Sequence, residues 1–396
     1  MRLDPAEWLD RPGIRRLLKA LDAKQGHARF VGGAIRDFLL DEHPDDLDLA
    51  TDHLPDEVIR RLEQAGIKAI PTGIDHGTIT AISSGTMVEV TSLRADVSTD
   101  GRRATVVFTD DWALDAGRRD FTINALYADP FTGELFDYFD GLGDLKSRTV
   151  RFIGEPLQRI AEDHLRILRY FRFHARYGHG EPDAHALEAC TERANDLMAL
   201  SRERIADELL KLLGLPDPTP TVRLMTDRGI FRPIIPEIGE EGVARLERLV
   251  GIEKQAELAP DPIRRLAALL CGPPELGRSI AARLKFSNRN KKRLELALKP
   301  AIGTPYSQAY RDGTEAAIDR IALTDQWEPF DQYMALRHLP KWDVPRLPIT
   351  GGQLIARGVT EGPEVARTMR RIEDAWEAAG FPTGETFEKL VEEALR

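Results

Sequence analysis

Cysteine is nearly absent: Cys190 and Cys271 are the only two in 396 residues, far apart and without a CxxC. That excludes a disulfide scaffold, a zinc ribbon and a redox pair, and free thiols fit a reducing cytoplasm. No apolar run approaches the ~18 residues of a membrane-spanning helix, so no membrane association is expected. The opening MRLDPAEWLDRPG carries acids and prolines where a signal peptide needs an apolar stretch, and a cytoplasmic chain is expected. Positive excess is also lacking. The net charge is −10, so any contact with nucleic acid must come from local patches. The nine histidines show no HxxxH or HxH spacing and read as scattered. Aromatics are sparse at 7%, but 42% hydrophobic and 30% charged residues are ordinary for a globular protein. Collagen and a mainly disordered state are excluded. The length allows two to three domains at ~150 residues each.

What is present divides the chain. Ile14, Leu17, Leu18 and Leu21 recur at helical spacing. ARFVGG then predicts a short strand running into a Gly-Gly turn, with a helix over 34–40 starting at that turn. Residues 46–51 (DLDLAT) alternate with period two, as a strand does. Residues 55–65 predict a helix with proline where its missing N–H costs little. IKAIP, GTITAIS and TMVEVTSL are three further β-rich pieces. RADVSTDGRR (94–103) is polar, carries a glycine and predicts a mobile loop. Helical patterns dominate from about Gly154, interrupted by connectors at 215–221, 271–274 and 339–352. No fixed-period repeat occurs. The pattern is an α/β head with a mixed sheet, followed by an all-α remainder.

Several residues in the head carry chemistry. Asp46 and Asp48 stand two apart on a predicted strand, so both carboxylates share one face while Leu47 and Leu49 share the other. Two such carboxylates suit a hard cation such as Mg²⁺; solvated acids at a strand edge are the alternative. Gly32 and Gly33 lie where a strand hands over to a helix, letting backbone N–H groups approach a phosphate to which Arg36 can donate. The plain alternative pairs Arg36 with Asp37. Glu89 sits mid-strand between valines, either as a third acidic group or in a salt bridge. Arg119, Asp120 and Asn124 supply groups for phosphate and ribose; otherwise Asp120 caps a helix. In EDHLRILRYFRF, a helical reading of 160–175 gathers Asp163, Arg166, Arg169 and Tyr170 opposite an apolar face. Asp163 and Arg166 could form a plain surface ion pair. Alternatively they act as an amino-acid template. Asp163 accepts from the exocyclic amine of cytosine or adenine, and Arg166 donates to their ring acceptors. Uracil and guanine leave both groups mismatched, and buried unpaired groups discriminate strongly.

GGAIRD…DLDLAT, RRDFTINA and EDHLRILRYFRF, in this order and separation, resemble the class II CCA-adding tRNA nucleotidyltransferase / bacterial poly(A) polymerase family. SRERIADELLKLL (201–213) resembles its next helical motif and ITGGQLIARGVTEGPEVARTM (349–369) its tail. The likeness is specific over about 29–213 and looser beyond. It implies a nucleotidyltransferase head (1–150), a helical neck with the base template (151–214), a helical body (215–345) and a tRNA-binding tail (346–396). By that resemblance Gly32, Gly33 and Arg36 hold the incoming triphosphate, and Asp46 and Asp48 bind two Mg²⁺ ions, with Glu89 as a less secure third acid. Arg119, Asp120 and Asn124 contact ribose and phosphates, Asp163 and Arg166 read the base, and Arg169 and Arg172 support phosphate or template. His164 departs from the family's usual proline but lies off the template face.

The expected activity is addition of C, C and A to the 3′ end of tRNA from CTP and ATP, with contacts to the acceptor end and elbow. Poly(A) addition is the alternative within the family, and an inactive RNA- or nucleotide-binding module the alternative outside it. The 94–103 segment, the absence of a long basic tail and the tail motif favour CCA addition. With no His-Asp dipeptide, the metal phosphohydrolase domain of some relatives is not expected. A basic cluster at 288–293 could touch RNA backbone or simply start a helix.

Overall fold

A computed structural model describes residues 3–44, 46–99, 104–360 and 362–395. It divides into two compact units, Met1–Leu209 with Asp227–Ile234, and Leu210–Thr226 with Ile235–Arg396.

The first unit is built on a mixed sheet. Its strands are β1 (Ala28–Val31), β2 (Asp48–Thr51), β3 (Lys68–Gly73), β4 (Thr78–Ser83), β5 (Thr86–Ser92), β8 (Leu126–Ala128) and β9 (Leu135–Asp137), in the order β3-β4-β5-β2-β1-β8-β9. Only β2 and β5 run parallel; every other pair is antiparallel. Period-two burial explains the central strands. Ile79 and Ala81 of β4 and Val88 and Val90 of β5 are buried, while Glu89 between them is exposed. The β1–β2 register pairs Ala28 with Thr51 and Phe30 with Leu49. Trp8, fully buried, packs edge-on against Phe30 at 4.9 Å. The Pro55–Gln64 helix starts with its proline at the first turn, as the sequence predicts.

One expectation fails here. Residues 94–99 of the expected loop form strand β6 (Arg94–Thr99), which pairs with β7 (Ala104–Phe108) as a separate two-stranded ribbon. Arg94–Thr99 does set Ala95 and Val97 between polar residues, but its polar composition and the following glycine mask the strand signal. Residues 100–103 lie outside the described residues.

The remainder is helical, as expected. Helices of the second unit include Glu240–Gln255, Pro262–Leu270, Asn288–Ala297, Thr314–Leu323 and Pro363–Ala378. Asp261 caps Pro262–Leu270 by accepting from the Ile263 and Arg264 amides at 2.9 and 3.0 Å. Buried Arg264 and Arg265 converge on Glu253, each at 2.8 Å. The C-terminal helices close on Leu354, Ile372, Trp376, Phe387 and Val391. The 288–293 cluster does begin a helix, capped by Ser287. Arg293 there turns inward to Asp319 at 2.7 Å and Asp261 at 2.8 Å. No helix is long and apolar enough to cross a membrane among the described residues.

Candidate active site

The site grows from the edge where β1 ends and β2 begins. After Val31 the chain turns at Gly32 with φ 76° and ψ −132°, a conformation that only glycine adopts without strain. A Cβ on Gly32 would also meet Arg119 Nη1 at 3.4 Å. The six-residue helix Gly33–Phe38 follows at once. On the neighbouring strand, Asp48 is the first residue of β2, so Asp46 and Leu47 precede the strand rather than lie in it. The alternation still holds: Leu47 and Leu49 are buried, Asp48 is half-buried and Asp46 exposed. The parallel register sets Glu89 of β5 beside Asp48.

That crowding is electrostatically costly. Burial first, and Glu89 second, push the Asp48 pKa from its usual 3.8 to about 6. Arg119 pulls it down, and Asp46 adds a smaller upward push. A half-buried carboxylate crowded by two others is a donor set that a divalent cation relieves, so these residues fit a metal supplied by the family chemistry.

Eleven of the thirteen residues singled out by sequence line one open cleft of about 470 Å³, within the first unit. They are Gly32, Gly33, Arg36, Asp48, Arg119, Asp120, Asn124, Asp163, Arg166, Arg169 and Arg172, joined by Phe173. Asp46 and Glu89 do not line it. Five arginines face three aspartates there, an anion-attracting pocket in a chain of net charge −10.

The arginines are not equally free. Arg36 is buried, its Nε donating to Asp37 at 2.8 Å and its Nη1 to Asn124, with Tyr177 stacked 4.1 Å from its guanidinium. The plain Arg36–Asp37 pairing is therefore present, and Arg36 braces the glycine turn with its fork engaged. Arg119 donates to Tyr127 and Asp115, each at 3.3 Å. Burial lowers its pKa, but Tyr127 and Asp115 outweigh that and raise it, so it stays charged. Asp120 does not start an α-helix; only a 3₁₀ turn, Thr122–Asn124, follows. Its carboxylate instead accepts from the Phe121 amide and Asn124, each at 2.9 Å, and from Arg169 at 2.8 Å. Burial alone would raise its pKa; pairing with Arg169 and Asn124 holds it below the usual range. Arg172 donates to Glu208 at 2.6 Å. Phe173 lies beneath Arg36, Arg169 and Arg172, at 5.3, 5.3 and 4.6 Å from its ring centre.

The template segment departs from the continuous helix expected over 160–175. One helix ends at Glu162, Asp163 is extended at φ −151° and ψ 105°, and a second helix runs Arg166–Tyr177. The cause is local and tertiary at once. Asp163 Oδ1 accepts from the Leu165 amide at 3.1 Å, as a cap does, and Oδ2 accepts from Arg204 at 2.7 Å. Arg166 donates to the Arg159 carbonyl at 2.8 Å, to Glu162 at 2.5 Å and to the Arg118 carbonyl at 3.3 Å. Asp163 and Arg166 therefore do not form the surface ion pair. Each has its own anchor, and both reach the cleft. His164 faces Asp196, 3.7 Å away, and does not line the cleft.

Sequence reasoning missed the supports: Phe173, Tyr127, Asp115, Glu162, Arg204 and Glu208. Arg204 and Glu208 lie in SRERIADELLKLL, a motif that carried resemblance but no role, and nothing in its spacing points to Asp163 or Arg172.

Comparison with known proteins follows the same lines. Residues 28–151 match the family model described as Poly A polymerase head domain, and 181–241 the one described as Probable RNA and SrmB- binding site of polymerase A. The chain is 36% identical over 400 residues to CCA tRNA nucleotidyltransferase 1, mitochondrial, of Mus musculus, covering 96% of this chain and 90% of the mouse protein. It is 30% identical to a CCA-adding enzyme of Lacticaseibacillus paracasei, covering 96% of both. Its fold is similar to the Bacillus stearothermophilus CCA-adding enzyme solved in complex with CTP, with a TM-score of 0.73 and 25% identity over 97% of this chain and 98% of that one.

Proposed function

The chain belongs to the family of CCA-adding tRNA nucleotidyltransferases and bacterial poly(A) polymerases, and from that premise we propose that it adds C, C and A to the 3′ end of tRNA. CTP and ATP are the donors and pyrophosphate is released. The observation that carries this reading is the cleft in which Asp48 and the Gly32–Gly33 turn meet two separately anchored base-reading groups, Asp163 and Arg166.

The family uses a divalent metal; we assign two Mg²⁺ ions, which Asp46 and Asp48 would hold with Glu89 alongside. When bound, they would activate the primer 3′-hydroxyl and steady the departing pyrophosphate. The protein's own groups do the rest. The glycine turn lets the triphosphate approach backbone, with Arg119 supplying a permanent positive charge beside it. Arg36 acts through its charge and by bracing the turn. Asp120 fixes Asn124 and Arg169 so that their remaining donors face ribose and phosphate. Asp163 presents acceptors to the exocyclic amine of cytosine or adenine, while Arg166, held by two carbonyls and Glu162, presents donors to the ring. Uracil sets a carbonyl against Asp163, and guanine sets O6 there, which leaves acceptor against acceptor. We assign tRNA contact to the helical remainder, with the head over 1–150, neck over 151–214, body over 215–345 and tail over 346–396. The reaction is placed in the cytoplasm, in keeping with two free cysteines.

The test is incubation of tRNA lacking its 3′ CCA with all four nucleoside triphosphates and Mg²⁺, followed by sequencing of the products. Terminal CCA is the expected result. A long A tail makes the protein a poly(A) polymerase, and no incorporation by folded protein makes it a binding module.

A further inference from the structure

A second cluster lies at the other end of the β1–β2 ladder. Ala28 pairs with Thr51, so His27 before β1 meets Asp52 and His53 after β2. Gly32 and Asp48 occupy the opposite end of the same two strands. Asp52 lies four positions on from Asp48, about 13 Å along the strand. The backbone here is fixed by hydrogen bonds. Thr51 Oγ1 donates to the His27 carbonyl at 2.6 Å, the Asp52 amide donates to that carbonyl at 3.3 Å, and the His53 amide donates to Thr51 Oγ1 at 3.3 Å.

The side chains converge. His27 Nδ1 stands 2.9 Å from Asp52 Oδ2, and His53 Nδ1 stands 3.8 Å from Asp52 Oδ1. The imidazoles stack with centres 4.9 Å apart. One nitrogen of each ring and one carboxylate oxygen all lie within 4.8 Å of one another. The His53 ring is only 11% exposed, and its Nε2 has no hydrogen-bond partner. A buried ring nitrogen without a partner carries a cost that a ligand removes. The nearby cation, Arg61, is itself engaged by Asp22 and by Glu57, the latter at 2.5 Å.

We propose that His27, Asp52 and His53 form a second metal site, separate from the nucleotidyl-transfer carboxylates, that takes a borderline divalent cation such as Zn²⁺. Two imidazoles and one carboxylate suit Zn²⁺ or Co²⁺, with a fourth position open to water. Mg²⁺ prefers an all-oxygen shell, so the two ends of the ladder sort cations by ligand chemistry. Bound there, the ion ties β1 to β2 behind the glycine turn and Asp48.

The test uses metal-stripped full-length protein in excess Mg²⁺, which saturates the oxygen site, titrated with Co²⁺ and read by visible absorption, then with Zn²⁺ by calorimetry. One equivalent is expected to bind the native chain and Asp48→Asn alike. His27→Ala and His53→Gln are each expected to weaken binding at least tenfold; His27 is half-exposed at the strand end, so its removal leaves the core intact. Zn²⁺ is also expected to raise the melting temperature of the native chain and of Asp48→Asn, but not of His53→Gln. Absence of binding in excess Mg²⁺, binding unchanged in both histidine variants, or binding lost in Asp48→Asn overturns the proposal. Should a histidine variant fail to fold, the imidazole ¹⁵N resonances of the native chain decide: two must shift with one equivalent of Zn²⁺, and no shift overturns it.

Discussion

Asp48→Asn separates catalysis from stability in opposite directions. Without metal, the folded chain holds the Asp48 proton up to about pH 6, whereas the unfolded chain releases it near 3.8. The stability contributed by that proton is complete below pH 4 and is lost as the pH rises through 6. At pH 7 a shift of this size has a ceiling of about 3 kcal/mol. Water in the open cleft discounts it to about 1–2 kcal/mol. Asparagine cannot ionise and so escapes this loss. In EDTA at pH 7 the variant is therefore expected to melt roughly 2–8 °C above the native chain. The gap falls to about half at pH 5 and closes below pH 4. Mg²⁺ should stabilise the native chain and have little effect on the variant, while incorporation of CTP by the variant drops by at least about 100-fold. The assays are thermal unfolding across pH with and without Mg²⁺, and nucleotide incorporation. A variant no more stable than the native chain in EDTA at pH 7, or a gap that widens as pH falls, refutes the crowding of Asp48 by burial and Glu89.

Other perturbations bear on the same cleft. Replacing both template groups, Asp163→Ala with Arg166→Ala, is expected to admit UTP and GTP, eroding discrimination by roughly 10²–10⁴-fold in competition assays; retained selectivity for C and A refutes the template. Arg204→Ala removes the 2.7 Å partner of Asp163 without touching the cleft lining. Selectivity for CTP over UTP should fall about fivefold while the melting temperature barely moves, since Arg204 is partly exposed; an equal loss with all four nucleotides argues for a general structural role. Gly32→Ala forces a side chain onto a φ of 76° and is expected to cost about 1–3 kcal/mol, read by thermal unfolding, and to raise KM for the nucleotide.

The local grammar of the site was legible in the chain. A glycine pair after a short strand predicts a turn because only glycine tolerates its backbone angles, and period-two alternation of Leu47 and Leu49 predicts which way Asp48 faces. The arginines and aspartates that line the cleft were likewise legible, each within its own motif. Supports were not legible. Arg204 and Glu208 hold Asp163 and Arg172 across a separation that no spacing rule spans.

Pattern along the chain therefore specifies the chemical groups and their local faces: a mixed α/β head, an all-α remainder, and acids and arginines in motifs. Which groups are neighbours and which are free is set by packing between distant segments. Burial, and the parallel pairing of β2 with β5 that sets Glu89 against Asp48, raise its pKa. A cap and Arg204 break the template helix at Asp163. Asp37 and Asn124 occupy the Arg36 fork, and the β1–β2 register gathers two histidines that look scattered along the chain. Each outcome includes a contact between residues distant in sequence, and a contact energy exists only once both partners are in place.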